Sequence, residues 1–162
     1  RLIFMKNTFK RSGAALISLV LLLVLAVSAG AASSQNVGVK FWKERSDKES
    51  MANSGIDPDR TATLTRQANG TYTLTLPVMQ VSKLGVTGYL SGLTIGDVTY
   101  NGTLTGDFNK ATAVLTIKNL PASVLTGSDV NKSVLVTCNI QMDLQVLGEI
   151  NTSARMCIWN QK

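Results

Sequence analysis

No histidine occurs among the 162 residues. That excludes a Ser-His-Asp or Cys-His nucleophile, and it excludes any imidazole ligand to a metal or a heme. Only two cysteines, Cys138 and Cys157, are present. Two thiolates with no imidazole partner make a zinc site untenable. The glycine-rich phosphate-loop motif with its lysine is missing, so the interspersed glycines cradle no nucleotide. Acidic residues are few and scattered over loop-like stretches: Asp57, Asp59, Asp97, Asp107, Asp129 and Glu149. Nothing marks any two of them as a glycosidase-type pair. Asp57-Pro58-Asp59 places two carboxylates in one turn, but EF-hand spacing does not follow, and the segment reads as a turn. The chain reads as a binding protein, not an enzyme.

The net charge of +6 is misleading. Lys6, Lys10 and Arg11 precede an apolar run, Ala14–Val27, of signal-peptide length and short for a spanning helix. Met5 is the expected start, and Ala29-Gly30-Ala31 supplies the small residues of a cleavage site. No cysteine follows to carry a lipid anchor. Residues 1–31 are therefore expected to be a signal peptide, and residues 32–162 a single mature domain that is secreted or held at the cell surface. With Arg1 and the three cations above removed, 12 Lys and Arg face 10 Asp and Glu, or about +2. No basic stripe with interleaved aromatics remains, which sets nucleic acid aside. About 130 residues suffice for one domain with its own core.

What is present is alternation. Ala62 and Leu64 alternate with Thr61, Thr63 and Thr65. Tyr72, Leu74, Leu76 and Val78 alternate with Thr71, Thr73 and Thr75. Asn69-Gly70 between them suits a type I′ turn, so the stretch predicts a hairpin with one buried face and one threonine-covered face. Val98–Leu104 repeats the signal around a second Asn-Gly, Asn101-Gly102. Gly38–Lys43, Val86–Ile95 and Ala111–Lys118 read as further strands, with bulges or close backbone approach at Gly85, Gly88 and Gly92. Ser133–Leu147 has the cleanest period of two, with Val134, Val136, Cys138, Ile140, Met142, Leu144 and Val146 on one face. Ala154–Trp159 is the last strand. Ser50-Met51-Ala52-Asn53 forms at most one helical turn. Seven or eight antiparallel strands without a helix predict an all-β immunoglobulin-like sandwich, with a closed barrel as the competing architecture.

The order of these pieces resembles a NEAT (near-iron-transporter) domain, in particular divergent members from Gram-positive surface or secreted proteins. An aromatic strand (Phe41-Trp42-Lys43) leads to Ser50-Met51. The NGTYTLTL hairpin, Pro77-x-Met79 and GVTGYLSGL (Gly85–Leu93) follow, and the likeness runs from about Val39 to Trp159. The resemblance implies binding of heme, or of a host heme-carrying protein such as hemoglobin, in the service of iron acquisition. It places the ligand between the short helical turn and the last hairpin. The family usually holds the iron through a tyrosine of a Tyr-x-x-x-Tyr pattern in that hairpin. Here Ser133–Trp159 has no tyrosine, and Ile150 and Ala154 stand where the pair is expected. Met142 and Met156 are the soft donors left in the hairpin, with Ser50 and Met51 on the opposing lip. These four are the candidate heme-contacting residues; thioether is a credible ligand for heme iron, and methionine is equally a filler of irregular cores. The alternative is a cofactor-free adhesion or interaction domain that binds protein or glycan on the same scaffold.

Export makes a Cys138–Cys157 disulfide chemically possible. The two lie at similar distances from Gly148 on the last two strands. Cys138 shares its face with Val136 and Ile140, whereas Cys157 shares its own with Arg155 and Trp159. A bulge would be needed to bring them together, and the sequence leaves the pairing open.

Overall fold

Threonine-rich alternation builds strands because β-branched side chains fit a pleated surface buried on one side. In the computed structural model, which describes residues 32–83, 85–143 and 148–162, nine strands form. They are β1 (Ser33–Lys43), β2 (Ala62–Arg66), β3 (Tyr72–Pro77), β4 (Val81–Lys83), β5 (Val86–Ile95), β6 (Val98–Thr105), β7 (Val114–Leu120), β8 (Val134–Met142) and β9 (Glu149–Asn160). The expected signal peptide, 1–31, lies outside the described residues, as do Leu144 and Val146. Among the described residues no helix is long and apolar enough to cross a membrane.

Every described pairing is antiparallel. Hydrogen bonding runs β5-β6-β7-β3-β2-β1-β9-β8 and returns from β8 to β5, so eight strands form a closed, barrel-like sheet. The short β4 is the extra strand. It lies on the β6 side of β5, beside Val86–Gly88, where β6 does not reach. The all-β expectation holds, with nine strands instead of seven or eight, and pairing is continuous around the ring instead of split between two sheets.

Side chains alternate in and out of this ring. Phe41, Leu64, Leu74, Leu76, Leu115, Ile117, Met156 and Ile158 are fully buried within it. A register shift between Leu90 and Gly92 against β8 resets the phase of β5, so Leu90 and Leu93, three residues apart, both face the core. On the outer face, threonines pair directly across strands: Thr63 with Thr75, Thr65 with Thr73, and Thr116 with both Thr75 and Thr103. Such pairs contribute a few tenths of a kcal/mol each, up to about 1 kcal/mol.

Two turn expectations are corrected. The β2–β3 turn is not type I′. Gly70 has φ +83°, but Asn69 is not left-handed. Gly70 N–H donates to Gln67 O at 3.0 Å and Gln67 N–H to Thr71 O at 2.8 Å, which makes a three-residue loop closed by a left-handed glycine. Asn69 serves through its side chain, whose Oδ1 accepts from the Thr71 N–H and hydroxyl. Asn101-Gly102 is no turn at all. Both residues lie inside β6, and Gly102 is there because Leu115 packs where a Cβ would stand. The turn before it is Gly96-Asp97, between the paired Ile95 and Val98, with Gly96 at φ +58°.

Asp57 anchors the connection between β1 and β2 to the end of β3. Its N–H donates to Pro77 O at 3.0 Å, and Met79 N–H donates to Gly55 O at 2.9 Å. Its carboxylate accepts from Arg60 Nε at 2.7 Å and from Asp59 N–H at 3.0 Å, while Arg60 Nη2 reaches Ala113 O at 2.6 Å. The Arg60 hydrogen bond, then that of Asp59, hold the Asp57 pKa below its ordinary value, against the opposing effect of burial. A depressed pKa contributes stability that is fully present above the unfolded value of about 3.9 and is lost as pH falls through the folded value. Urea midpoints of the wild type and Asp57→Asn should therefore differ most near neutral pH and converge below about pH 4. A gap that stays constant from pH 7 to 3 would refute this account of Asp57.

Candidate functional site

One end of the ring is left partly unfilled. After β1 the chain folds back as a single 3₁₀ turn, Met51–Gly55, which caps that end as a lip. The turn is built by polar side chains. Ser50, buried at 7% exposure, is its N-cap: its Oγ accepts from Ala52 N–H at 3.3 Å and its own N–H donates to Phe41 O at 3.0 Å. Asn53 then imitates a strand partner for β1. Phe41 N–H donates to Asn53 Oδ1 at 2.8 Å, and Asn53 Nδ2 donates to Phe41 O at 2.7 Å and to Ser50 O at 3.1 Å. The lip is thus tied to the strand that carries the core residue Phe41.

Between this lip and the end of the β8–β9 hairpin where β8 finishes and β9 begins lies a cavity of about 260 Å³. This is just under the ~300–1,000 Å³ usual for small-molecule pockets. Met51, Ala52 and Gly55 form the lip side; Val81 of β4 and Val86, Gly88, Tyr89 and Leu90 of β5 form one wall; Ile140 and Met142 of β8 with Ile150 and Thr152 of β9 form the other. Pairing explains the second wall. Gly88 lies opposite Met142, Leu90 opposite Ile140, and Ile140 opposite Ile150, so these side chains share the inward face. Among the described residues, no carboxylate or ammonium side chain lines the cavity. Thr152 adds a hydroxyl-bearing residue to the lining, Tyr89 borders it from a strand position opposite Gln141, and Met51 and Met142 bring thioethers.

The four residues proposed from sequence meet different fates. Met51 (57% exposed, on the lip) and Met142 (half-buried, on the wall) are brought to one cavity from 91 residues apart in the chain. Ser50 does not line it but caps the turn that presents Met51. Met156 is corrected to a core residue. It is fully buried, faces Val134 and Phe41 across its two ladders, and takes no part in the cavity wall. Tyr89 was passed over because it lies outside the last hairpin, yet it borders the cavity, with its ring 5.2 Å from that of Phe108. Asn53 was also missed, whereas Gly88, expected to mark a bulge or close backbone approach, does the latter: a Cβ there would lie 3.0 Å from Gln141 O. Nothing in a one-dimensional pattern announces that an asparagine side chain will pair with a strand.

The Cys138–Cys157 pairing, left open by the sequence, is not made in this structure. Both thiols are free and buried. The β8–β9 register sets Cys138 opposite Thr152 and Met156 opposite Val134, so no bulge brings Cys157 to Cys138. Cys138 faces the core, where burial pushes its pKa up to about 12. Cys157 points out of the ring beneath the 121–133 connection, and its thiol lies 3.5 Å from Asp129 O.

Neither a family model nor a curated protein sequence matches the chain. Among solved structures, the NEAT5 domain of IsdX2, a B. anthracis hemophore, in complex with heme, superposes with a TM-score of 0.52. The match covers 81% of this chain and 98% of that one at 10% identity. A heme complex of a single-substitution mutant of the same domain matches equally well. The fold is that of a NEAT domain. At this level of identity the likeness carries the NEAT scaffold and nothing about individual side chains.

Two outcomes follow. Asn53→Ala leaves the Phe41 N–H without its partner, while Phe41 O keeps the Ser50 N–H, and should lower unfolding free energy by about 2 kcal/mol, seen as a reduced urea midpoint with an unchanged slope. An unshifted midpoint would mean the clamp contributes nothing. Thiol titration of the unreduced protein should give two thiols in denaturant and almost none when folded, because both thiols are buried away from the reagent. Zero thiols in denaturant would restore the disulfide.

Proposed function

We propose that this chain is a non-catalytic, extracellular heme-binding module of the NEAT type, acting in bacterial iron acquisition and taking heme directly or from a host hemoprotein. The observation that carries this reading is the apolar cavity between the Met51–Gly55 lip and the β8–β9 hairpin, on a scaffold whose structural neighbours were solved with heme. The residues suit such a guest. A porphyrin is a flat apolar plate with propionate carboxylates along one edge. Val81, Val86, Leu90, Ile140 and Ile150 offer apolar surface to its faces, and the open mouth leaves the carboxylates in water. A cavity of this size would admit part of the plate, with the lip closing over it. Met142 and Met51, which line the same cavity, would be the soft donors available to an iron centre, a role for which thioether is well suited. Bound heme would supply the iron to be carried. The protein's part is to exclude water, orient the ring and hold the metal. The signal-peptide reading of residues 1–31 supports export, and the immunoglobulin-like description of the NEAT scaffold belongs to the same reading.

Adding hemin to the protein should give a saturable Soret shift at one equivalent. Met142→Ala should weaken it by about tenfold, or ~1.4 kcal/mol. A flat titration at micromolar hemin would contradict direct heme binding and leave the cofactor-free recognition domain, to be tested against hemoglobin and surface glycans.

A further inference from the structure

Met142 ends β8 directly opposite Gly88 of β5. A Cβ built on Gly88 would lie 2.8 Å from Met142 Sδ, 3.0 Å from Gln141 O and 3.2 Å from Ile140 Cγ2. The sulfur therefore rests in the space that a side chain at position 88 would take. It is seated on the wall, whereas Met51 stands more than half exposed on the lip.

Two features of this wall bear on the charge of what it can hold. A thioether is a neutral, soft donor, and soft donors favour the lower oxidation state of a transition metal; methionine ligation raises heme reduction potentials. The cavity also lacks any anionic side chain among its lining residues. A ferric porphyrin centre keeps one net positive charge, and burying it among Leu90, Ile140 and Ile150 without a counter-ion carries a desolvation penalty. A ferrous porphyrin centre is neutral and avoids it. Ligand softness and burial thus act in the same direction.

We infer that the cavity discriminates between oxidation states, holding ferrous iron porphyrin more tightly than ferric, with the Met142 thioether on Gly88 as the iron donor. This rests on the heme reading above and adds a selectivity to it.

The test titrates the protein with three probes: hemin in air, dithionite-reduced heme without oxygen, and iron-free protoporphyrin. The ferrous Kd should lie at least about tenfold below the ferric one, equivalent to a potential at least about 59 mV above that of free heme. In Met142→Leu, which keeps the apolar volume, that ratio should collapse and the potential should fall, by more than any change in the affinity for iron-free protoporphyrin. Gly88→Ala gives an independent check, since displacing the sulfur should shrink the ratio in the same way. Ferric binding as tight as ferrous, or a ratio unchanged in Met142→Leu, would overturn the inference while leaving heme binding intact. Collapse of the ratio in Met51→Leu alone would overturn the assignment to Met142. Failure of all three probes to bind would overturn both this inference and the heme reading.

Discussion

Pairing of β5 with β8 is the constraint on which the rest of the molecule depends. Its ladder runs from Thr94 opposite Thr137 to Gly88 opposite Met142. Without it both strands would present an unpaired edge, a ready template for aggregation. With it, the hydrogen bonds of eight strands close on themselves and one interior is defined. The same register decides chemistry as well as shape. Strand side chains alternate with a period of two, so a one-residue slip would turn Ile140 and Met142 out of the ring and Gln141 into it. The bulge at Leu90–Gly92 is a local departure from that register. It keeps both Leu90 and Leu93 buried while Gly88 stays aligned with Met142.

Closure leaves a difference between the two ends. Phe41, Leu64, Leu74 and Leu115 fill the interior. Toward the end where β8 finishes and β9 begins, the inward positions hold Gly88, Ile150 and Thr152, and the lip contributes Ala52 and Gly55. Small or short side chains on several elements at once produce a hollow, and the Ser50 and Asn53 hydrogen bonds hold the lip across it. The apolar character of the hollow, more than any single side chain, is what points to a flat apolar guest.

Most strands were legible in the sequence because each has a buried and a solvated face, which period-two alternation records. Val86–Ile95 was located to the residue, and the Ser50 turn was found through its small polar residues. The misreadings share one cause, which is reading a local signal without its tertiary neighbours. Asn101-Gly102 looks like a turn, but Leu115 on the adjacent strand needs the space above Gly102. Asn69-Gly70 is a turn of another kind because its length was set by the Arg66–Tyr72 pairing. Met156 and Met142 are chemically alike in sequence, and only the ladder separates core from cavity wall. Seven or eight strands became nine because three-residue β4 is too short to show a period, and the closure that defines the ring joins strands about 45 residues apart, beyond any local pattern.

The central claim is that the hollow beneath the Met51–Gly55 lip, and no other surface, receives a porphyrin. Backbone amide shifts of isotope-labelled protein, recorded on adding a diamagnetic zinc porphyrin, test this most directly. The account predicts changes concentrated at 51–56, 86–90, 140–142 and 149–152, with the threonine-covered strands β2, β3 and β7 unmoved. Shifts centred on those outer faces, or no shifts at saturating porphyrin, would contradict it.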